Sequence, residues 1–275
     1  MLVPPVAAAD TSMTAMHALV LGVVQGVTEL LPVSSSAHLF IVPKLLGWTY
    51  QGGAFDVALH GGTLVALILA FARDWLVLLR DAFSPRGDVA REARQTWAKL
   101  VVATIPGAIA GKLLDERMDA LRILWLQACT LAIFGLLLWL VDRRAGRGRD
   151  EDSPGWGASI GMGLAQCLAL VPGVSRSGIT MTAARAAGLS RVSAARFSFM
   201  LATPITAGAL VLKLKDLHGV THTNLAIGVA SAAIVGTVVI QLLLELLRRT
   251  GFGVFFVYRV AVAAFALVFW FGHRG

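Results

Sequence analysis

The stretch ELLPVSSSAHL, from Glu29 to Leu39, lies between the apolar runs MHALVLGVVQGVT and FIVPKLLGW. It sets a carboxylate, three serines and a histidine around Pro32, inside sequence that otherwise reads as a greasy helix. Proline interrupts a helix because it lacks a backbone N–H and its ring collides with the preceding turn. An ionisable group in an apolar segment is costly to bury, so its presence there points to use. A second stretch matches the first. GLAQCLALVPGVSRSGIT (Gly163–Thr180) lies without a gap over GVVQGVTELLPVSSSAHL (Gly22–Leu39) at a separation of 141 residues. Gly22 falls on Gly163, Gln25 on Gln166, Val33 on Val174, Ser34 on Ser175 and Ser36 on Ser177; further on, Gly47 falls on Gly188. The prolines, Pro32 and Pro172, are one position out of register.

The surroundings of both stretches are those of a polytopic membrane protein. The 275 residues are 57% hydrophobic and only 15% charged, where a soluble domain is about half apolar and about a quarter charged. Apolar runs long enough to cross a bilayer recur, and they read as helices, since strands would need a closed barrel with alternating polarity. A run at about 13–31 ends at Pro32 and a shorter one follows at about 36–47. Spans are expected at about 55–79, 97–114 and 120–141, then a charged loop, DRRAGRGRDEDSPG (Asp142–Gly155). A run at about 157–171 ends at Pro172, a short one follows at about 178–189, and spans are expected at about 193–212, 225–247 and 253–271. The expected fold is therefore all-α and integral to the membrane, a single domain over 1–275. It holds two repeats, about 13–141 and 157–271, each a broken pair followed by three spans. Three is odd, so if each broken pair enters and leaves on one side, the second repeat is inverted. Matching broken segments in inverted repeats point to a binding site near the membrane middle.

Charge sets the expected orientation. The loops near 80–99, 142–156 and 248–252 carry Arg80, Arg86, Arg91, Arg94, Lys99, Arg143, Arg144, Arg147, Arg149, Arg248 and Arg249. The opposite side carries Lys44, Arg117, Arg122, Lys213, Lys215 and Arg274. The richer side should be cytoplasmic, which leaves both termini and the first broken pair outside. The net charge of +8 belongs to these loops, and no basic arm suggests nucleic acid. Cys129 and Cys167 lie far apart in apolar runs and form neither a disulfide framework nor a metal site. The first 16 residues lack Lys and Arg, so no cleaved signal peptide is expected.

The second stretch describes a phosphate cradle. Arg176 stands among Ser175, Ser177 and Thr180, with Gly173 and Gly178 to let backbone approach a ligand. Helix-start amides and an Arg fork both suit phosphate oxygens. The competing account is a serine-capped helix break with Arg176 reaching for water. In the first stretch, Ser35 and His38 are three apart and could touch if the helix restarts near Ser34, which would activate the serine. Otherwise Ser34 or Ser35 only caps a helix and His38 faces headgroups. Glu29 could serve as an acid or base, or hold a divalent cation shared with phosphate. The repeat lays Arg176 over Ser35, so the two stretches read as halves of one site. His60 and Arg259 are further intramembrane candidates, and Gln25 and Gln166 could hydrogen-bond across the broken helices. His17, His218, His222 and His273 show no ligand spacing.

Together GVVQGVTELLPVSSSAHL and QCLALVPGVSRSGIT resemble the undecaprenyl pyrophosphate phosphatases, membrane enzymes of the bacitracin-resistance type. The similarity extends to FSFMLATP (Phe197–Pro204) and VYRV (Val257–Val260). It implies a bacterial plasma-membrane enzyme, its site facing the exterior, that removes the terminal phosphate of the C55 polyprenyl diphosphate carrier for reuse in cell-envelope synthesis. It implies six spans plus two re-entrant helical hairpins, and Mg or Ca as cofactor. Glu29 matches the second acidic position of the family's Glu/Gln-x-x-x-Glu motif, Ser35 a proposed nucleophile, and His38 its associated histidine. Ser34 joins the substrate-binding set, and Arg176, Ser175, Ser177 and Thr180 match the phosphate-binding motif. The chain departs at Gln25, where many members have Glu, and at His60, where Gln is expected. Gln25 puts in question any metal role for Glu29 that needs two carboxylates. The partners implied are the membrane and a polyprenyl pyrophosphate lipid, with a homodimer allowed. The runner-up is an inverted-repeat transporter or flippase of an anionic polyprenyl lipid or phosphate. An ion channel ranks below both, because a Ser-His-Glu-Arg set exceeds what conduction needs.

Overall fold

The computed structural model describes residues 13–213 and 221–272, the side chains of 115–119 excepted. His218, Lys215, His273 and Arg274 therefore lie outside the described residues. Those described are helical throughout, apart from turns and one isolated bridge between Arg149 and Leu189. In chain order the helices are α1 (Ala15–Thr28), α2 (Ser35–Leu45), α3 (Gly53–Ala70), α4 (Ala72–Ala82), α5 (Gly87–Asp119) and α6 (Leu124–Ala145). They continue as α7 (Trp156–Ala165), a 3-10 turn (Gln166–Leu170), α8 (Arg176–Ala186), α9 (Arg191–Lys213), α10 (His222–Arg249) and α11 (Gly253–Gly272).

Six of these, α3, α5, α6, α9, α10 and α11, are long and apolar enough to cross a membrane. Their outer faces are apolar as well. Val101, Ile105 and Ile109 are exposed at four-residue intervals on α5, and Ile234, Val238 and Leu242 on α10. That spacing makes a continuous stripe on each helix, which hydrocarbon tolerates and water does not.

Two expectations are corrected. The span expected at 55–79 is two helices, because the chain turns at Phe71 (φ −107°, ψ 18°) before α4. Phe71 is buried against Phe199, ring centroids 6.0 Å apart, and anchors the turn. Beyond it Arg73, Asp74, Arg80 and Asp81 make α4 amphipathic, which suits a membrane boundary better than its centre. The loop expected from Asp142 begins later, since α6 runs on to Ala145. Asp142 is buried there and accepts from Arg185 Nε at 2.8 Å, Arg191 Nε at 2.9 Å and the Phe252 amide at 3.2 Å. A carboxylate so fully paired can stay charged inside the fold.

The broken segments repeat in backbone detail. Ser34 (φ 73°) and Ser175 (φ 76°) are the only described non-glycine residues in the left-handed region, and they are 141 residues apart. Gly47 (φ 68°) and Gly188 (φ 86°), which close α2 and α8, are separated equally. Ser34 Oγ lies 3.1 Å from Ser36 Oγ, and Ser175 Oγ lies 3.2 Å from Ser177 Oγ. Packing repeats too: α1 lies along α10, and α7 along α5. At Gly22 a Cβ would stand 2.3 Å from the Gly228 carbonyl oxygen, and at Gly163 2.5 Å from that of Ala103. Both contacts admit only glycine, so the first helix of each half makes the same kind of close crossing with a helix of the other half.

Candidate active site

Each broken segment ends one helix and starts another. In the first, α1 stops at Thr28, Pro32 has no amide to extend it, and α2 starts at Ser35. In the second, the 3-10 turn stops at Leu170, Pro172 follows, and α8 starts at Arg176. Ser35 and Arg176 are thus the first residues of their helices. Ser34, Ser35, Ser36, Ser175 and Arg176 all border one cavity of about 230 Å³, which Glu29, His60, Gln166 and Thr206 also line. Two helix N-termini therefore meet one space, a disposition that favours an anion.

Glu29 is the hub. Ser35 Oγ donates to its Oε2 at 2.5 Å, and Arg176 Nη2 donates to its Oε1. His60 Nε2 stands 3.1 Å and Gln25 Nε2 3.4 Å from Oε2. The His60 ring is oriented from behind, its Nδ1 donating to the Asp56 carbonyl at 2.7 Å. Arg176 is oriented likewise, its Nη1 donating to Thr206 Oγ1 at 2.5 Å. A hydroxyl bonded directly to a carboxylate has a proton acceptor in place, and a guanidinium across the same carboxylate stands ready for phosphate oxygens.

Several residues take places other than those expected. His38 does not bond Ser35: its Nδ1 donates to the Ser34 carbonyl at 2.7 Å, and its Nε2 accepts from Tyr258 Oη at 2.8 Å. The carboxylate of Glu29 occupies the place expected for the imidazole. Ser177 donates to the carbonyls of Glu29 and Leu31, each at 3.1 Å, so it fastens the two segments together. The Gly173 amide donates to Ser36 Oγ at 3.4 Å, which makes the fastening reciprocal. Thr180 is buried, bonded to the Arg176 carbonyl at 2.8 Å and to Ser198 Oγ at 2.6 Å. Gln25 and Gln166 do not bond across the broken helices: Gln25 reaches Glu29 of its own segment, and Gln166 donates to Ala103 of α5 at 2.6 Å. Arg259 does not line the cavity but lies buried behind both segments. Thr206, Ser36 and Tyr258 were not anticipated. The one signal for Thr206 was its place two residues after Pro204 in an apolar helix.

Among the described residues no group of three or more His, Cys, Asp and Glu side chains could hold a metal ion. Among the described residues Glu29 is the only carboxylate bordering the cavity, and behind it the buried Gln25 Oε1 has no partner. One carboxylate and one orphaned amide oxygen fit a hard cation that takes its remaining ligands from phosphate and water. They do not make a cage by themselves.

The chain as a whole is similar to known proteins. Residues 18–265 match the family described as bacitracin resistance protein BacA. The chain belongs to that family. The undecaprenyl-diphosphatase of Pelotomaculum thermopropionicum is 48% identical over 260 residues, covering 93% of this chain and 96% of the relative. That of Gemmatimonas aurantiaca is 48% identical over 256 residues, 90% and 95% of the two chains. That of Moorella thermoacetica is 46% identical over 263 residues, 94% and 99%. The family match spans both broken segments, so α2 and α8 and the cavity between them lie inside the shared region.

Proposed function

We propose that this protein is a phosphatase of undecaprenyl diphosphate, releasing inorganic phosphate and leaving the lipid monophosphate for reuse as a carrier. The observation that carries the reading is Ser35 Oγ on the Glu29 carboxylate, with Arg176 on the carboxylate's other oxygen. As Ser35 Oγ forms its bond to the terminal phosphorus, the bridging P–O bond breaks and the serine proton passes to Glu29. The lipid monophosphate departs as an anion. Water then attacks the phosphoserine: as its oxygen bonds to phosphorus the Ser35 O–P bond breaks, the proton held by Glu29 returns to Ser35 Oγ, and inorganic phosphate leaves with both water protons. Arg176, fixed by Thr206, and the first amides of α2 and α8 hold the phosphoryl oxygens while their charge builds. Mg or Ca, held by Glu29 and Gln25 with substrate oxygens, would neutralise phosphate charge.

The two halves are read as inverted repeats, about 13–141 and 157–271, whose broken pairs re-enter the membrane from opposite sides. The paired left-handed serines and paired glycine crossings support that reading. The site is read as facing the exterior of a bacterial plasma membrane. Val57, Gly107, Ile205 and Ala209, which line the cavity, lie toward the ends of α3, α5 and α9 that adjoin the charge-poor loops. Cysteines placed near Lys44 should react with an impermeant label in spheroplasts and those near Arg147 should not; the reverse pattern would overturn the orientation.

The test of function is phosphate release by pure protein in detergent, where no second compartment exists. A phosphatase turns over there, slows when EDTA removes divalent cations, and recovers with Mg or Ca. A carrier of the same lipid would release nothing. Full activity with metal shown to be absent would remove the cation from the mechanism and leave the hydrolysis standing.

A further inference from the structure

Arg259 on α11 is fully buried, yet no carboxylate among the described residues pairs with it. Its Nε donates to the Leu131 carbonyl at 2.9 Å. Its Nη1 donates to the Pro32 carbonyl at 3.2 Å, and its Nη2 to those of Gly173 and Val174, both at 3.0 Å. Pro32 and Gly173 are 141 residues apart, equivalent positions of the two broken segments. One guanidinium therefore joins the same backbone point of both halves to α6. It also sits directly beneath the first turn of α8, since a Cβ on Gly178 would stand 3.1 Å from Nη1.

A buried cation satisfied only by neutral carbonyls is expensive and would not serve stability alone. The planar fork is what makes the join geometrically possible. It presents five N–H groups in fixed directions, whereas an ammonium is a single point. We propose that Arg259 is a positioning residue, which sets the register between the segment carrying Glu29 and Ser35 and the segment carrying Arg176. It acts on the reaction through those residues and does not itself touch substrate. This rests on the phosphatase reading given above.

The test is Arg259→Lys, which keeps the charge and loses the fork. Turnover should fall about 10²-fold with KM within about threefold, since a shift of about 1 Å between reacting groups costs that much. In an Arg176→Ala background, the same change should cost less than about threefold, because the group it positions is gone. A residue that only stabilises the fold would give losses that add, and one that binds substrate would raise KM; either result overturns the proposal. A readout independent of activity separates this from a failure of the phosphatase reading. Spin labels at Leu45→Cys and Ala186→Cys, exposed sites on α2 and α8, report the register directly once Cys129 and Cys167 are replaced. Their distance distribution should shift or broaden in Arg259→Lys, and an unchanged distribution overturns the proposal even if the parent hydrolyses nothing. If Arg259→Lys does not fold, Gly135→Ala presses on the same side chain more gently, its Cβ 3.1 Å from Arg259 Cδ and 3.2 Å from Nε. A loss of about tenfold with a shifted distance is expected there, and parent values of both would count against the idea.

Discussion

The segment around Ser34 and the segment around Ser175 turn the chain with the same backbone and equip it with opposite chemistry. Both put a serine at positive φ, bond it to the serine two residues on, and start a helix at the cavity. At the first helical position one carries the hydroxyl of Ser35 and the other the guanidinium of Arg176. The carboxylate that joins them, Glu29, has no acidic counterpart, for its equivalent in the second half is Leu170. A repeated backbone thus supplies two helix starts at one cavity, and divergence of two side chains equips the pair with a hydroxyl facing a guanidinium. Two copies of either half would give two carboxylates that repel phosphate, or two arginines with no proton acceptor.

The comparison assigns the largest effect to the group without a counterpart. Glu29→Gln keeps the shape and removes the charge that Ser35, Arg176 and His60 all face. Turnover should fall by about 10²-fold or more, as for loss of a general base, while the purified protein keeps the helicity of the parent. Hydrolysis within about threefold of the parent would mean that the carboxylate is structural.

On the opposite half, Arg176→Lys should fail nearly as badly as Arg176→Ala. One Nη bonds Thr206 and the other Glu29, and a lysine cannot reach in both directions. Loss of such a donor is worth about 10²–10³ in rate. Combined with Ser35→Ala, the losses should be strongly non-additive, because in the proposed mechanism the two residues act on one phosphate. Initial rates of the two single variants and the double variant measure this. Losses that simply add on a logarithmic scale would separate the halves into independent sites.

Much of this was legible before the fold was known, and the failures share a cause. The six spans follow from run length and composition, because hydrocarbon admits little else. The turn at Phe71 was hidden because Trp75, Leu76, Val77, Leu78 and Leu79 prolong the apolar run beyond it. Helical spacing suggested that His38 serves Ser35, since the two are three apart. The chain between Glu29 and Ser35 is not helical, however, and a left-handed Ser34 folds back to bring them together across six residues. No periodicity encodes that contact. Thr206 and Tyr258 are uncharged polar residues within apolar helices, and only packing reveals what they hold.

The smallest effect belongs to the glycines that end the two short helices. Gly47 (φ 68°) and Gly188 (φ 86°) hold left-handed conformations that alanine adopts only with strain. Each alanine should cost about 1 kcal/mol, read as a lowered melting temperature. Space around them differs. A Cβ on Gly47 would meet nothing within 4 Å, while one on Gly188 would come 3.0 Å from Arg149 Nη1. Arg149 is largely exposed, bonded to Glu151 and to the Ala187 carbonyl at 3.2 Å; its end can swing aside by giving up the latter bond to water, so the clash adds little to the strain. The two substitutions should therefore lower stability by about equal amounts, within about 0.5 kcal/mol, and leave kcat unchanged, since neither glycine borders the cavity. Thermal unfolding of Gly47→Ala and Gly188→Ala, with rates measured at a temperature where both are folded, checks both statements. A Gly188→Ala protein far less stable than its partner would show that the second segment is held at the end of α8 by Arg149 rather than by its backbone alone. The equivalence of the two broken segments would then stop at the cavity and not reach the helix ends.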